Sequence, residues 1–131
     1  MVKARVRTMT LSFLDFDAST AADGSGNFDA MANVAISQRQ ALLAEVAAVL
    51  DWADAQFPGL QAPLDEGGEW DYQLQCQQEW STDEGLAYDL STRQFSTHTG
   101  PTSAPRYNLT LSISGGPQFC EAFEAQFLHA D

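Results

Sequence analysis

Trp70-Asp-Tyr-Gln-Leu-Gln-Cys-Gln77 alternates apolar and polar side chains without a break. A period of two is the pattern of a strand with one face on a core and the other in water. Trp70, Tyr72, Leu74 and Cys76 are expected to face in, and Asp71, Gln73, Gln75 and Gln77 to face out. The same period recurs elsewhere in the chain. Met9, Leu11 and Phe13 alternate with Thr8, Thr10 and Ser12, which predicts a first strand over 8–16. Phe28, Ala30, Ala32, Val34 and Ile36 predict a second over 28–36, paired with the first as a long hairpin, with a short helix as the competing assignment. Leu86, Tyr88 and Leu90, and then Tyr107, Leu109, Leu111 and Ile113, predict two more strands with those side chains inward. The connections read as loops from their small, polar, Gly- and Pro-containing composition: 17–27, a hairpin loop at Ser81–Gly85, and an exposed stretch from Gln94 to Pro105.

Two helices interrupt this order. Ser37-Gln-Arg-Gln40 has the form of a capping box, and an apolar stripe of Leu42, Leu43, Val46, Val49, Leu50, Ala53 and Phe57 begins directly after it. That stripe covers an arc of about 120° at helical spacing, which predicts a helix over 38–57 lying on one sheet face and stopped by Pro58-Gly59. Ala41, Ala44, Ala48 and Ala55 fall on its back. Ser114-Gly-Gly-Pro117 opens a second helix with proline at its first position and Phe119, Cys120, Phe123 and Phe127 as its buried stripe. The order β-β-α-β-β-β-α predicts an α+β fold: an antiparallel sheet of four or five strands with two helices packed on one face. The other face is left open and polar, lined by Thr8, Thr10, Ser12, the three glutamines of the Trp70 strand, Asp89, Asn108, Thr110 and Ser112.

Composition bounds what such a fold can do. The 131 residues are 44% hydrophobic and include eight Phe, three Trp and three Tyr, so a single domain with its own core is expected over 1–131. Six Lys and Arg against eighteen Asp and Glu leave a net charge of −12, a sign that repels a phosphate backbone and argues against nucleic-acid binding. Lys3, Arg5 and Arg7 form a short basic arm over 1–8, read as a frayed end or as a segment docking on an acidic surface. No stretch has the roughly 20 apolar residues of a membrane span, and no apolar run near the start has the form of a signal peptide. Cys76 and Cys120 lack the close spacing of zinc or redox pairs, so both are expected to be free, reduced and buried in a cytoplasmic protein.

Each candidate for chemistry has a competing structural reading. Leu14-Asp-Phe-Asp-Ala-Ser-Thr20 resembles, over seven residues, the Asp-x-Asp nucleophile motif of haloacid-dehalogenase-like phosphatases. That family also requires a parallel α/β core and a later Lys or Arg for the phosphate, whereas the sole Lys here is Lys3. Asp23-Gly-Ser-Gly-Asn-Phe-Asp29 has part of a calcium loop, but the EF-hand register puts Ala21 and Ala32 at its first and last ligand positions. Asp65, Glu66, Glu69 and Asp71, beside Trp70, are candidates for a divalent-metal or small-ligand site if their carboxylates converge. Cys120 with His98 or His129 has the types of a nucleophile pair, and the amides after Ser114 those of an anion site at a helix start. None of these adds up to a catalytic constellation. The expectation is therefore a non-enzymatic protein-protein interaction module without a cofactor, whose partner carries a basic surface or is another copy of the chain. The alternatives are an enzyme using Asp65 to Asp71, and a structural subunit of a homo-oligomer.

Overall fold

The computed structural model describes residues 11–128, and the basic arm over 1–8 lies outside the described residues. In chain order the elements are β1 (Asp17–Thr20), β2 (Gly26–Ala35), α1 (Arg39–Gln56), β3 (Trp70–Glu79), β4 (Thr82–Asp89), β5 (Gln94–Thr102), β6 (Arg106–Gly115) and α2 (Pro117–Phe127), with single 3-10 turns at Ile36–Gln38 and Leu64–Glu66. The fold is α+β. The expected order holds with one strand added, β5. Four strands form an antiparallel sheet in the order β1-β2-β6-β3, and among the described residues β4 and β5 pair only with each other.

β2 and β6 are the inner strands, and their register sets Phe28 opposite Ile113, Ala30 opposite Leu111 and Ala32 opposite Leu109. These side chains share one face, and α1 and α2 bury it. α1 contributes Leu42, Val46, Val49 and Ala53, as its stripe predicts, and α2 contributes Phe119, Cys120 and Phe123. Aromatic rings fill the space between the helices and the sheet. Phe123 stacks on Phe28 at 4.2 Å between ring centres, and Trp52 meets Phe119, Phe123 and Phe127 edge-on at 5.0–6.0 Å. No helix among the described residues is long and apolar enough to cross a membrane.

The structure departs from the sequence reading in several places. The strand expected over 8–16 does not form in its described part, 11–16. There the amides of Ser12, Phe13 and Leu14 donate to the carboxylate of Glu45 on α1, at 2.7, 2.9 and 2.7 Å, in place of a strand ladder. Leu14 and Phe16 are the buried side chains of this segment, and Leu11 and Phe13 are half-buried. The first strand is β1, inside the expected loop over 17–27, and its hairpin with β2 is only four pairs long. Ser37 does not cap α1. The Gln38 side chain instead accepts the Ala35 amide at 3.1 Å, within the 3-10 turn that leads into the helix.

Two further departures concern the loops over 81–85 and 94–105. At the first the strand is barely interrupted and resumes as β4; the second is β5. Their pairing makes a ribbon that continues the β3–β6 pair outward, joined to it where the Ser103 amide donates to the Ser81 carbonyl at 2.8 Å. Leu86, Tyr88 and Leu90, expected inward, are exposed on this ribbon. Tyr72, Leu74 and Cys76 do lie on the helix side of the sheet, opposite Ile113, Leu111 and Leu109, but β3 is an edge strand. The helices cover only its start, so Trp70 is buried and the other three are exposed.

Candidate interaction surface

The β4–β5 ribbon is an arm in water. Every residue of β4 is exposed, as is every residue of β5 except the half-buried Gly100. The register sets Leu86 opposite Thr97 and Tyr88 opposite Phe95, so these side chains share a face, and the Tyr88 and Phe95 rings lie 4.8 Å apart. Gly85, Ala87, Ser96 and His98 take the other face. One side of the arm is therefore apolar and open, with Leu86 62% and Phe95 67% exposed. Its tip is built by Asp89, whose carboxylate accepts the Ser91 amide at 2.8 Å and the Ser91 hydroxyl at 2.7 Å, while Arg93 takes a positive φ of 59° to close the turn. Those Ser91 bonds hold the Asp89 carboxyl below its ordinary range. Leu90 sits at this tip. Asp83, Glu84 and Asp89 flank the apolar face with negative charge, against the single Arg93.

The open face of the four-stranded sheet is polar, as expected from its strands, but with a different membership. Thr8 and Thr10 lie outside the described residues, Ser12 lies in the segment held by Glu45, and Asp89 is at the tip of the arm. Across the remaining strands Asn33, Asn108 and Glu79 form a hydrogen-bonded row, and Arg106 donates to the Asn33 side chain at 2.8 Å. Ser112 donates to Asp29 at 2.6 Å. Met31, 76% exposed, is the apolar exception on this face. An open hollow of about 510 Å³ lies over Gln75, Gln77, Asn108 and Thr110.

The structure separates the four acidic candidates. Asp65 and Glu66 are exposed in the 3-10 turn before β3. Asp71 accepts the Gln61 side-chain amide at 2.6 Å. Glu69 reaches the start of α2, where one carboxylate oxygen accepts the Phe119 amide at 3.0 Å and lies against Gly116. Among the described residues no group of three or more His, Cys, Asp and Glu side chains is placed to hold a metal ion. The helix start after Ser114 thus takes its anion from within the chain. This pairing joins two features that read separately in sequence, because the register that sets Trp70 opposite Gly115 brings Glu69 to Gly116. Glu69→Ala is expected to lower stability by roughly 1–2 kcal/mol, the range for losing a helix-start acceptor with favourable charge. Urea unfolding checks it through a lower midpoint at unchanged slope.

The other candidates are also placed. Asp15 and Asp17 are exposed, and Asp17 pairs with Asp29 in the β1–β2 ladder. Asp23 accepts the Ser25 amide at 2.9 Å and hydroxyl at 2.6 Å inside the β1–β2 turn, and these bonds lower its pKa. Cys120 is buried against the Gly115 carbonyl, and burial first, then the nearby Glu124, Glu69 and Asp23 carboxylates, push its thiol up, away from a nucleophile. His98 is on the arm, and His129 lies outside the described residues. Cys76, expected in the core, is exposed on the edge strand, and both thiols are free. No protein-family model matches this chain, and neither a curated protein nor a solved structure matches it.

Proposed function

We propose that this chain is a non-enzymatic protein-protein interaction module of the cytoplasm that docks through its β4–β5 arm. The observation that carries the proposal is the open apolar face of Leu86, Tyr88 and Phe95 on a ribbon that has no third strand among the described residues. A two-stranded ribbon is marginal on its own in water, and three or more strands or a packing surface are needed to stabilise it. A binding partner supplies that surface. The flanking Asp83, Glu84 and Asp89, on a chain of net charge −12, select a partner whose apolar cleft is rimmed by Lys and Arg. Aromatic anchors at the centre of such a contact carry most of its energy, and the charges set encounter rate and specificity.

The test replaces Leu86, Tyr88 and Phe95 together with serine. The arm stands clear of the core, so the melting temperature is expected to stay within about 2 °C of wild type, as for surface substitutions. Binding of the protein partner captured by the wild-type chain is expected to weaken by at least about a hundredfold, since each buried apolar side chain contributes roughly 1.5–3 kcal/mol. It should also weaken as salt rises. A captured partner bound equally by the serine variant, or no protein retained more by wild type than by the variant, overturns the proposal.

A further inference from the structure

The two edges of the four-stranded sheet are built differently. β1 is four residues long and begins at Asp17, with Asp15 just before it, a short and charged edge of the kind that discourages pairing. β3 is ten residues long and pairs with β6 in one unbroken register from Trp70 to Glu79. From Tyr72 to Gln78 it contains no charged residue, no proline and no bulge, in a chain whose net charge is −12. Its backbone is also poised outward. The Trp70 carbonyl accepts the Ala62 amide at 2.9 Å and the Trp70 amide points at the Leu60 carbonyl, both on the side away from β6. Alternation along an antiparallel strand then directs the amides and carbonyls of Tyr72, Leu74, Cys76 and Gln78 to the same open side. Among the described residues nothing pairs with that row.

We propose that β3 pairs antiparallel with β3 of a second copy, about a two-fold axis at Cys76, to join the two sheets into one of eight strands. Among axes that keep the pairing within β3 and the residues just after it, charge and backbone together favour one. Registers that keep the helix sides of both sheets aligned differ by two residues between opposed positions. An axis at Gln75 sets Asp71 against Glu79 of the second copy, and an axis at Gln77 sets Asp71 against its Asp83, each twice by symmetry and each with like charges opposed. An axis at Leu74 needs the outward groups of Trp70, which the 60–62 segment already uses. The axis at Cys76 sets Asp71 opposite Ser81, Gln73 opposite Glu79, Gln75 opposite Gln77 and Leu74 opposite Gln78, with no like charges facing between positions 71 and 81. It also sets Tyr72 opposite Trp80 of the second copy, an aromatic pair covering side chains that are 38% and 61% exposed in the single chain, and it covers Leu74, 39% exposed. The paired window ends at Ser81, because the 60–62 segment of the second copy takes the outward groups of Trp70, and each arm must leave the joined sheet from Thr82 onward. This inference uses a different surface from the arm and stands or falls separately.

Two acidic copies repel at long range, so salt acts on this contact in the opposite sense to its action on a basic partner. The experiment is sedimentation of the full chain under reducing conditions from micromolar to sub-millimolar concentration, at low and at high salt. A monomer–dimer equilibrium is expected whose dimer fraction rises with salt. Leu74→Pro removes an amide that β6 does not use and is expected to be monomeric throughout. Leu74→Lys, which places a charge on the strip without touching the backbone, is expected to behave the same if the proline variant fails to fold. In this register the two Cys76 Cα atoms lie about 5.5 Å apart. A short bis-maleimide is therefore expected to join two wild-type chains and not two Cys76→Ser chains. A wild-type chain that stays monomeric at every concentration and both salts overturns the proposal. So does a dimer that persists in the folded Leu74 variants, or one that high salt dissociates. None of these results bears on the arm.

Discussion

Phe119→Ala is expected to lower stability by roughly 3–5 kcal/mol, the range for truncating a buried aromatic ring in a core that cannot collapse around the gap. A domain of this kind has roughly 5–15 kcal/mol in all, so one substitution removes a large part of it. Phe119 is fully buried, and its ring meets those of Trp70, Phe57, Phe123, Trp52 and Phe28 at centre distances of 5.7, 5.4, 5.7, 6.0 and 6.5 Å. It lies nearly parallel to the Trp70 indole, with 8° between the planes. On its remaining side it packs on bare backbone, since a Cβ built on Gly115 comes within 2.2 Å of the ring. Rings held by two helices and the sheet cannot close such a void. Urea unfolding is expected to show a lower midpoint at unchanged slope. Gly115→Ala should also destabilise, because the added methyl group drives into the ring. The two changes together are expected to lose less than the sum of their separate losses, since the methyl group enters space that the ring has vacated. Strict additivity contradicts this packing.

The same packing explains which elements are legible in the sequence. β2, β6, α1 and α2 each have one side against this aromatic core, and burial on one side imposes the period by which an element is recognised. β5 has no such side. Its Ser, Thr, Gly100 and Pro101 read as a loop because a ribbon in water is held by cross-strand pairing alone, as at Thr82 and Thr102, whose hydroxyls lie 2.8 Å apart. The alternation of β3 gives the correct face for Tyr72, Leu74 and Cys76, but no local pattern tells where the cover of the helices stops. A sheet edge is a property of strand order, and strand order is set by partners distant in sequence. The acidic stretch from Asp65 to Asp71 shows the converse. Its residues look like a cluster along the chain, and the fold sends Glu69 to α2, Asp71 to Gln61, and Asp65 and Glu66 into water. The arm that carries the proposed function was visible only as Leu86, Tyr88 and Leu90 at period two, which is also the signature of a buried strand.

The segment over 11–16 is the hardest part to see in the sequence, because its backbone partner is a side chain more than thirty residues away, and Glu45→Ala is expected to expose that dependence. The Glu45 carboxylate takes the Phe13 and Leu14 amides on one oxygen and the Ser12 amide on the other. Hydrogen bonds to a charged acceptor contribute roughly 1.5–3 kcal/mol each where buried, but this site is only half-buried and water replaces part of the loss, so about 2–3 kcal/mol is expected for all three. The loss should begin locally. Leu14 and Phe16 reach the core through this segment, and Phe16 meets Phe123 edge-on at 5.0 Å, so release of the three amides frees both side chains to leave. Amide hydrogen exchange at Phe13 and Leu14 is expected to rise by roughly thirtyfold or more, in step with a loss of about 2 kcal/mol in local opening. The β2–β6 ladder should change only as far as global stability falls. Glu45→Gln separates charge from geometry. Its carbonyl oxygen can still accept Phe13 and Leu14, while its amide group meets the Ser12 amide donor to donor, so an intermediate loss is expected. A change within about 0.5 kcal/mol for Glu45→Ala, the range of ordinary surface substitutions, is incompatible with Glu45 holding this segment in place.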